Sequence, residues 1–99
     1  ETIEETIKRE LHEETGLFVK EVIDILPPSY AAVAITDVQT QIAIVKAEGT
    51  LSDEFMSDNE EIEARFYTKD EVRQLLQTEK FSSRAQVMAY FYAHNCLNI

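Results

Sequence analysis

A chain of 99 residues with 44% hydrophobic side chains is enough for one small domain with an apolar core, which excludes an acidic disordered tail. Nineteen acidic against nine basic residues give a formal charge of −10, which disfavours nucleic-acid polymers and anionic membrane surfaces as partners. The single cysteine, Cys96, has no partner for an internal disulfide, no apolar run approaches the ~20 residues of a membrane span, and no signal peptide is visible, so a cytoplasmic location is expected.

In chain order, Ile3, Ile7 and Leu11 recur every four residues and predict a helix over about 2–15, ended by Gly16. Phe18 to Leu26 alternates as a strand does until Pro27-Pro28 breaks it. Tyr30–Ile35 and Gln41–Ala47 read as strands, with a hairpin around Thr36-Asp37-Val38-Gln39. Glu48 to Asn59 is polar and reads as a loop, and Ile62–Tyr67 as a short alternating strand. Thr68 is placed to cap a helix over Lys69–Gln77, with Glu71 completing a capping box. A last helix is expected from Ser82 or Ser83 to about His94, with Val87, Met88, Phe91 and Tyr92 as its core-facing side. The order of elements predicts an α/β or α+β layered domain.

The first helix poses the chemical question. At 100° per residue the stripe Ile3, Ile7, Leu11 spans about 80°, and Glu14 falls inside that range with Glu10 and Glu13 beside it. Glu10 and Glu14 are like charges four residues apart, a pairing that weakens a helix by ~0.2–0.5 kcal/mol. Converging hard oxygen ligands suit Mg²⁺ or Mn²⁺, whereas a glutamate-rich helix in an acidic protein is equally an ordinary solvated face. On spacing alone both readings stay open.

The stretch "ETIEETIKRELHEETGL" resembles the Nudix box, G-x5-E-x7-R-E-U-x-E-E-x-G-U, where U is a bulky aliphatic residue. Glu1 stands at the first glutamate; Arg9, Glu10 and Leu11 supply R-E-U; Glu13, Glu14, Gly16 and Leu17 supply E-E-x-G-U. The resemblance implies an α/β/α sandwich around a mixed sheet and hydrolysis of a nucleoside diphosphate linked to another group, with a divalent cation, Mg²⁺ or Mn²⁺, on the helix. Glu10 and Glu14 are then the expected metal ligands, with Glu13 a third ligand or an outer-shell partner, and Glu1 and Arg9 orient the cluster. The chain starts at Glu1, after the position of the motif's leading glycine, so residues 1–99 are expected to be the C-terminal two-thirds of one Nudix domain, lacking its N-terminal strands. Such a piece is expected to associate, most simply as a homodimer, and to hydrolyse little by itself.

The acidic stretch "SDNEEIEARF" resembles the glutamate-bearing loop of the family's ADP-ribose pyrophosphatases, which makes Glu60 the candidate general base and Glu61 its neighbouring alternative. The downstream pattern "EEIEARFYTKDEVRQLL…FSSRAQVMAYFYAHN" is similar to the same subfamily, so ADP-ribose or a nucleotide sugar is the expected substrate. His12 is placed on the exposed side of the first helix, Tyr30 is a candidate base-stacking residue, and Cys96 lacks the histidine arrangement of a nucleophile. A noncatalytic nucleotide-binding module and an acidic interaction domain are the competing expectations.

Overall fold

The computed structural model describes residues 1–32 and 34–99. Its elements, in order, are α1 (Ile3–Thr15), β1 (Phe18–Ile25), β2 (Ser29–Tyr30), β3 (Gln39–Thr40), β4 (Ala43–Glu48), α2 (Lys69–Thr78) and α3 (Ser83–Ala93). Helices and antiparallel strands make the chain α+β, as expected. They fall into two compact units, Glu1–Ala64 and Arg65–Ile99.

In the first unit, α1 starts where the sequence places its cap. Thr2 accepts a hydrogen bond from the Glu5 backbone N–H (3.2 Å), and Glu4 and Glu5 occupy the first turn, where the helix dipole favours negative charge. Gly16 ends the helix in the left-handed conformation (φ 77°) and donates its N–H to the His12 carbonyl (2.8 Å). Leu17 follows, buried to 5% exposure, and leads directly into β1. That strand pairs antiparallel with β4 from Phe18↔Glu48 to Ile25↔Ala43, with irregularities between Val19 and Glu21 and between Val22 and Asp24. Helix α1 packs on β1, so the sheet fixes the orientation of the helix.

The sequence places the middle strands differently from the structure. Tyr30–Ile35 does not continue as a strand: β2 ends at Tyr30 and pairs only with β3 (Ser29↔Thr40, Tyr30↔Gln39), while Val33 lies outside the described residues. The strand expected at Gln41–Ala47 forms over Ala43–Glu48 and takes β1 as its partner. Pro27 and Pro28 cannot donate to a ladder, and beside them the Gln41 side chain donates to the Leu26 carbonyl (2.9 Å). The hairpin expected around residues 36–39 does not form there: Gln39 is itself in β3, paired with Tyr30, and the strand expected to follow it pairs with β1 instead.

Ile62–Tyr67 alternates in sequence yet forms no strand. Alternation marks which side chains share a face, but a strand exists only when hydrogen-bonded to a neighbour, and the described strands pair only with one another, β1 with β4 and β2 with β3.

The second unit is a helical pair. Thr68 and Glu71 form the complete capping box of α2, with Thr68 N–H donating to Glu71 Oε1 (2.8 Å) and Glu71 N–H to Thr68 Oγ1 (3.1 Å). Arg73 binds the Asp70 carboxylate and the Ala93 carbonyl at the end of α3, and Lys69 donates to Asn95 Oδ1 (2.6 Å) while lying over the Tyr92 ring. Ala93 is fully buried. Val87 and Phe91, expected on the core-facing side, are instead exposed and line a groove with Leu76 and Tyr90. Among the described residues no helix is long and apolar enough to cross a membrane.

Candidate active site

The helix-ending glycine also fixes the loop beside it. The Ser52 N–H donates to the Thr15 carbonyl at 2.8 Å, and a Cβ on Gly16 would stand 2.8 Å from Ser52 Cβ and 2.9 Å from Ser52 N. Backbone that close cannot yield cheaply, and φ 77° is itself strained for a side-chain-bearing residue. Gly16→Ala is therefore expected to lower the melting temperature by about 5 °C or more, since ~1 kcal/mol corresponds to some 4–8 °C in a domain of this size. A thermal melt by circular dichroism checks it, and an unchanged midpoint would show that the loop is free to move away.

On α1 the charged side chains sort into two groups. Arg9 is held between two carboxylates: Glu1 at 2.6 Å and Glu13 at 3.2 Å. The Arg9 hydrogen bond and charge hold the Glu1 carboxyl below its ordinary pKa, and the two glutamates raise that of Arg9. The part of stability that depends on the ionised Glu1 is present above its unfolded pKa and is lost as pH falls through the depressed native value. The pair is solvent-exposed, so its worth lies in orientation more than in stability.

Glu14 behaves in the opposite sense. Partial burial, followed by the charges of Glu60, Glu10 and Glu13, pushes its carboxyl above the usual range. The loop glutamate named from the sequence thus stands in the electrostatic field of the helix cluster. Glu14 also lines a cleft of about 320 Å³ within this unit, together with Ser52, Asp53 and Glu63. Leu51, Met56 and Ile62 form its apolar wall.

The donor set suits a hard cation: burial, and then the charges of Glu60, Glu10 and Glu13, raise the Glu14 carboxyl, and a positive charge would offset both. The carboxylates are not drawn to a common point, however. Among the described residues no three His, Cys, Asp or Glu side chains are gathered as a metal-ligand cluster. Glu13 is engaged by Arg9, which leaves Glu10 and Glu14 as the helix carboxylates without a described ion-pair partner at that turn.

Three features of the site escape a reading of the sequence. Asp53 and Glu63 share the cleft with Glu14, and the only sequence signal for them is the acidic density of residues 53–63. His12 is half-buried, not exposed: it lies between Phe18 (ring centroids 4.6 Å apart) and Phe55 (4.4 Å). A helical wheel cannot foresee this, because the covering residue comes from a loop more than forty positions away. Tyr30 is exposed and belongs to a separate depression with Ala34–Asp37, and Cys96 is exposed near the chain end, its Sγ donating to the His94 carbonyl.

Searches of curated proteins and of solved structures gave no match. A protein-family model, the NUDIX domain, matches residues 1–91. The match runs through the glutamate-rich helix, the sheet it packs on, the acidic loop and most of α3, and by it the chain belongs to the Nudix hydrolase family.

Proposed function

We propose that this chain is the catalytic part of a Nudix hydrolase that cleaves the phosphoanhydride of a nucleoside diphosphate linked to a second group, with ADP-ribose or a nucleotide sugar as substrate. The observation that carries this reading is Glu14, destabilised as an anion by burial and by Glu60, Glu10 and Glu13 at the edge of the cleft. A carboxylate kept under such repulsion is poised to accept a cation.

In this reading Glu10 and Glu14 would hold Mg²⁺ or Mn²⁺, while Glu13, fixed by Arg9 and through it by Glu1, orients the cluster from outside. A cation held there would neutralise charge on the phosphates and acidify a water. Glu60 accepts the proton as the water oxygen bonds to phosphorus; the bridging P–O bond breaks, and its electron pair leaves with the departing phosphate. The substrate is a small nucleotide and not a nucleic-acid polymer or a membrane, consistent with the charge of −10. A cytoplasmic setting fits the free thiol of Cys96.

A homodimer is part of the proposal, supported by apolar side chains exposed on the first unit, Phe18 and Ile35, the latter at 88%. Light scattering over a range of concentrations should give twice the monomer mass; a constant monomer mass removes the dimer.

The absence of a ready three-ligand cluster among the described residues favours a second reading, a nucleotide-binding module without turnover. A Mg²⁺ titration with and without ADP-ribose separates the two. Metal-dependent release of AMP and ribose 5-phosphate supports the hydrolase, whereas saturable binding without release supports the module.

A further inference from the structure

We propose that Phe55 is a positioning residue: stacked on His12, it clamps the 49–60 loop to α1 and so sets where Glu60 stands relative to Glu14. The catalytic consequence rests on the reading of Glu60 as the base.

The first support is the three-ring stack itself. His12 meets Phe18 at 4.6 Å with planes 24° apart and Phe55 at 4.4 Å with planes 32° apart. Rings in this arrangement attract beyond the area they bury. The His12 Nδ1 is buried with no hydrogen-bond partner, so stacking, not hydrogen bonding through Nδ1, accounts for the placement of this ring.

The second is position. His12 belongs to the same turn of α1 as Glu10, Glu13 and Glu14 but, two residues from Glu10 and from Glu14, projects from the opposite side of the helix, so what is fastened to it is fixed at that level of the helix axis. The beginning of the loop is fastened separately. Phe18 closes over Gly49, whose added Cβ would touch Phe18 Cδ2 at 3.4 Å, and Ser52 N–H binds the Thr15 carbonyl. Past Phe55 the backbone bonds of Met56 (to Asp53, 3.1 Å) and Glu60 (to Ser57, 3.1 Å) stay within the loop and shape it without tying it to the helix. Phe55, alongside Met56 and Ile62, which share the cleft with Glu14, therefore connects the segment that bears Glu60 to the turn that bears Glu14.

The test places a nitroxide at Lys8→Cys, with Cys96→Ser to leave one thiol, and reads broadening of the Glu60 amide signal by nuclear magnetic resonance. Phe55→Ala is expected to reduce that broadening, Phe55→Tyr to restore it, and His12→Phe to leave it intact because only a ring is needed. In parallel, Phe55→Ala should lower kcat for ADP-ribose hydrolysis about tenfold with KM nearly constant, and have no further effect once Glu60→Gln is present. Should Phe55→Ala not fold, Phe55→Leu, which keeps bulk without a ring, replaces it. Equal broadening in the wild type and in the ring-less variant overturns the clamp. Altered broadening alongside a Glu60→Gln variant of full activity keeps the clamp and discards Glu60 as the base.

Discussion

In the full-length protein, Glu14→Gln is expected to reduce Mg²⁺-dependent hydrolysis about a hundredfold or more, because even partners that only orient a metal ligand are worth ten- to a hundredfold. The substitution keeps the side-chain volume, so the fold should persist. The same change should leave the metal-free protein at least as stable at neutral pH. In the wild type, burial and three neighbouring carboxylates raise the native pKa of Glu14. The native state thus holds this proton more tightly than the unfolded chain does. Its contribution is fully present below the unfolded pKa and is lost as pH rises through the raised native value. Glutamine has no charge to lose, so the melting temperature of Glu14→Gln should match or exceed wild type at pH 7 and converge with it in acid. Activity equal to wild type would remove Glu14 from the metal site, and a markedly lower melting temperature at pH 7 would show that the carboxylate is a structural partner.

The second large effect concerns the loop. Glu60→Gln should lower kcat by about 10²–10⁴, the usual worth of a general base, with a much smaller change in KM, since the carboxylate acts only as the water is deprotonated. Glu61→Gln is the control. If Glu61 gives the larger loss, the base is the neighbouring residue; if neither substitution matters, water is activated at the helix cluster itself. Glu60 is favoured because its charge acts on Glu14 more strongly than that of Glu10 or Glu13.

The parts of the fold legible in sequence are those written in local chemistry. Helix α1 announces itself through Ile3, Ile7 and Leu11, its Thr2 cap and Gly16, and α2 through the Thr68–Glu71 capping box. These signals work because cap and periodicity lie within a few residues of what they control. Pairing is another matter. Nothing in Ala43–Glu48 specifies β1 as its partner over the nearer β2, and Ile62–Tyr67 has strand-like alternation without a strand to pair with. Both outcomes depend on residues distant in sequence.

The same division runs through the site. Arg9 between Glu1 and Glu13 follows from helix spacing and the box, and the candidate roles of Glu10 and Glu14 come from the motif. The stacking of Phe55 on His12, and the meeting of Asp53 and Glu63 with Glu14 in one cleft, arise from a loop folding back over α1. A helical wheel places His12 with the solvated residues because it sees one helix and no cover.

The claim that this carboxylate patch is a cation-dependent phosphoanhydride hydrolysis site is tested most directly by turnover of ADP-ribose in ¹⁸O-labelled water with Mg²⁺, with and without a chelator. Attack of water on phosphorus predicts one labelled oxygen in the phosphate of AMP or of ribose 5-phosphate, and no product once the cation is removed. Turnover that continues undiminished with the chelator, or products free of label, would contradict it.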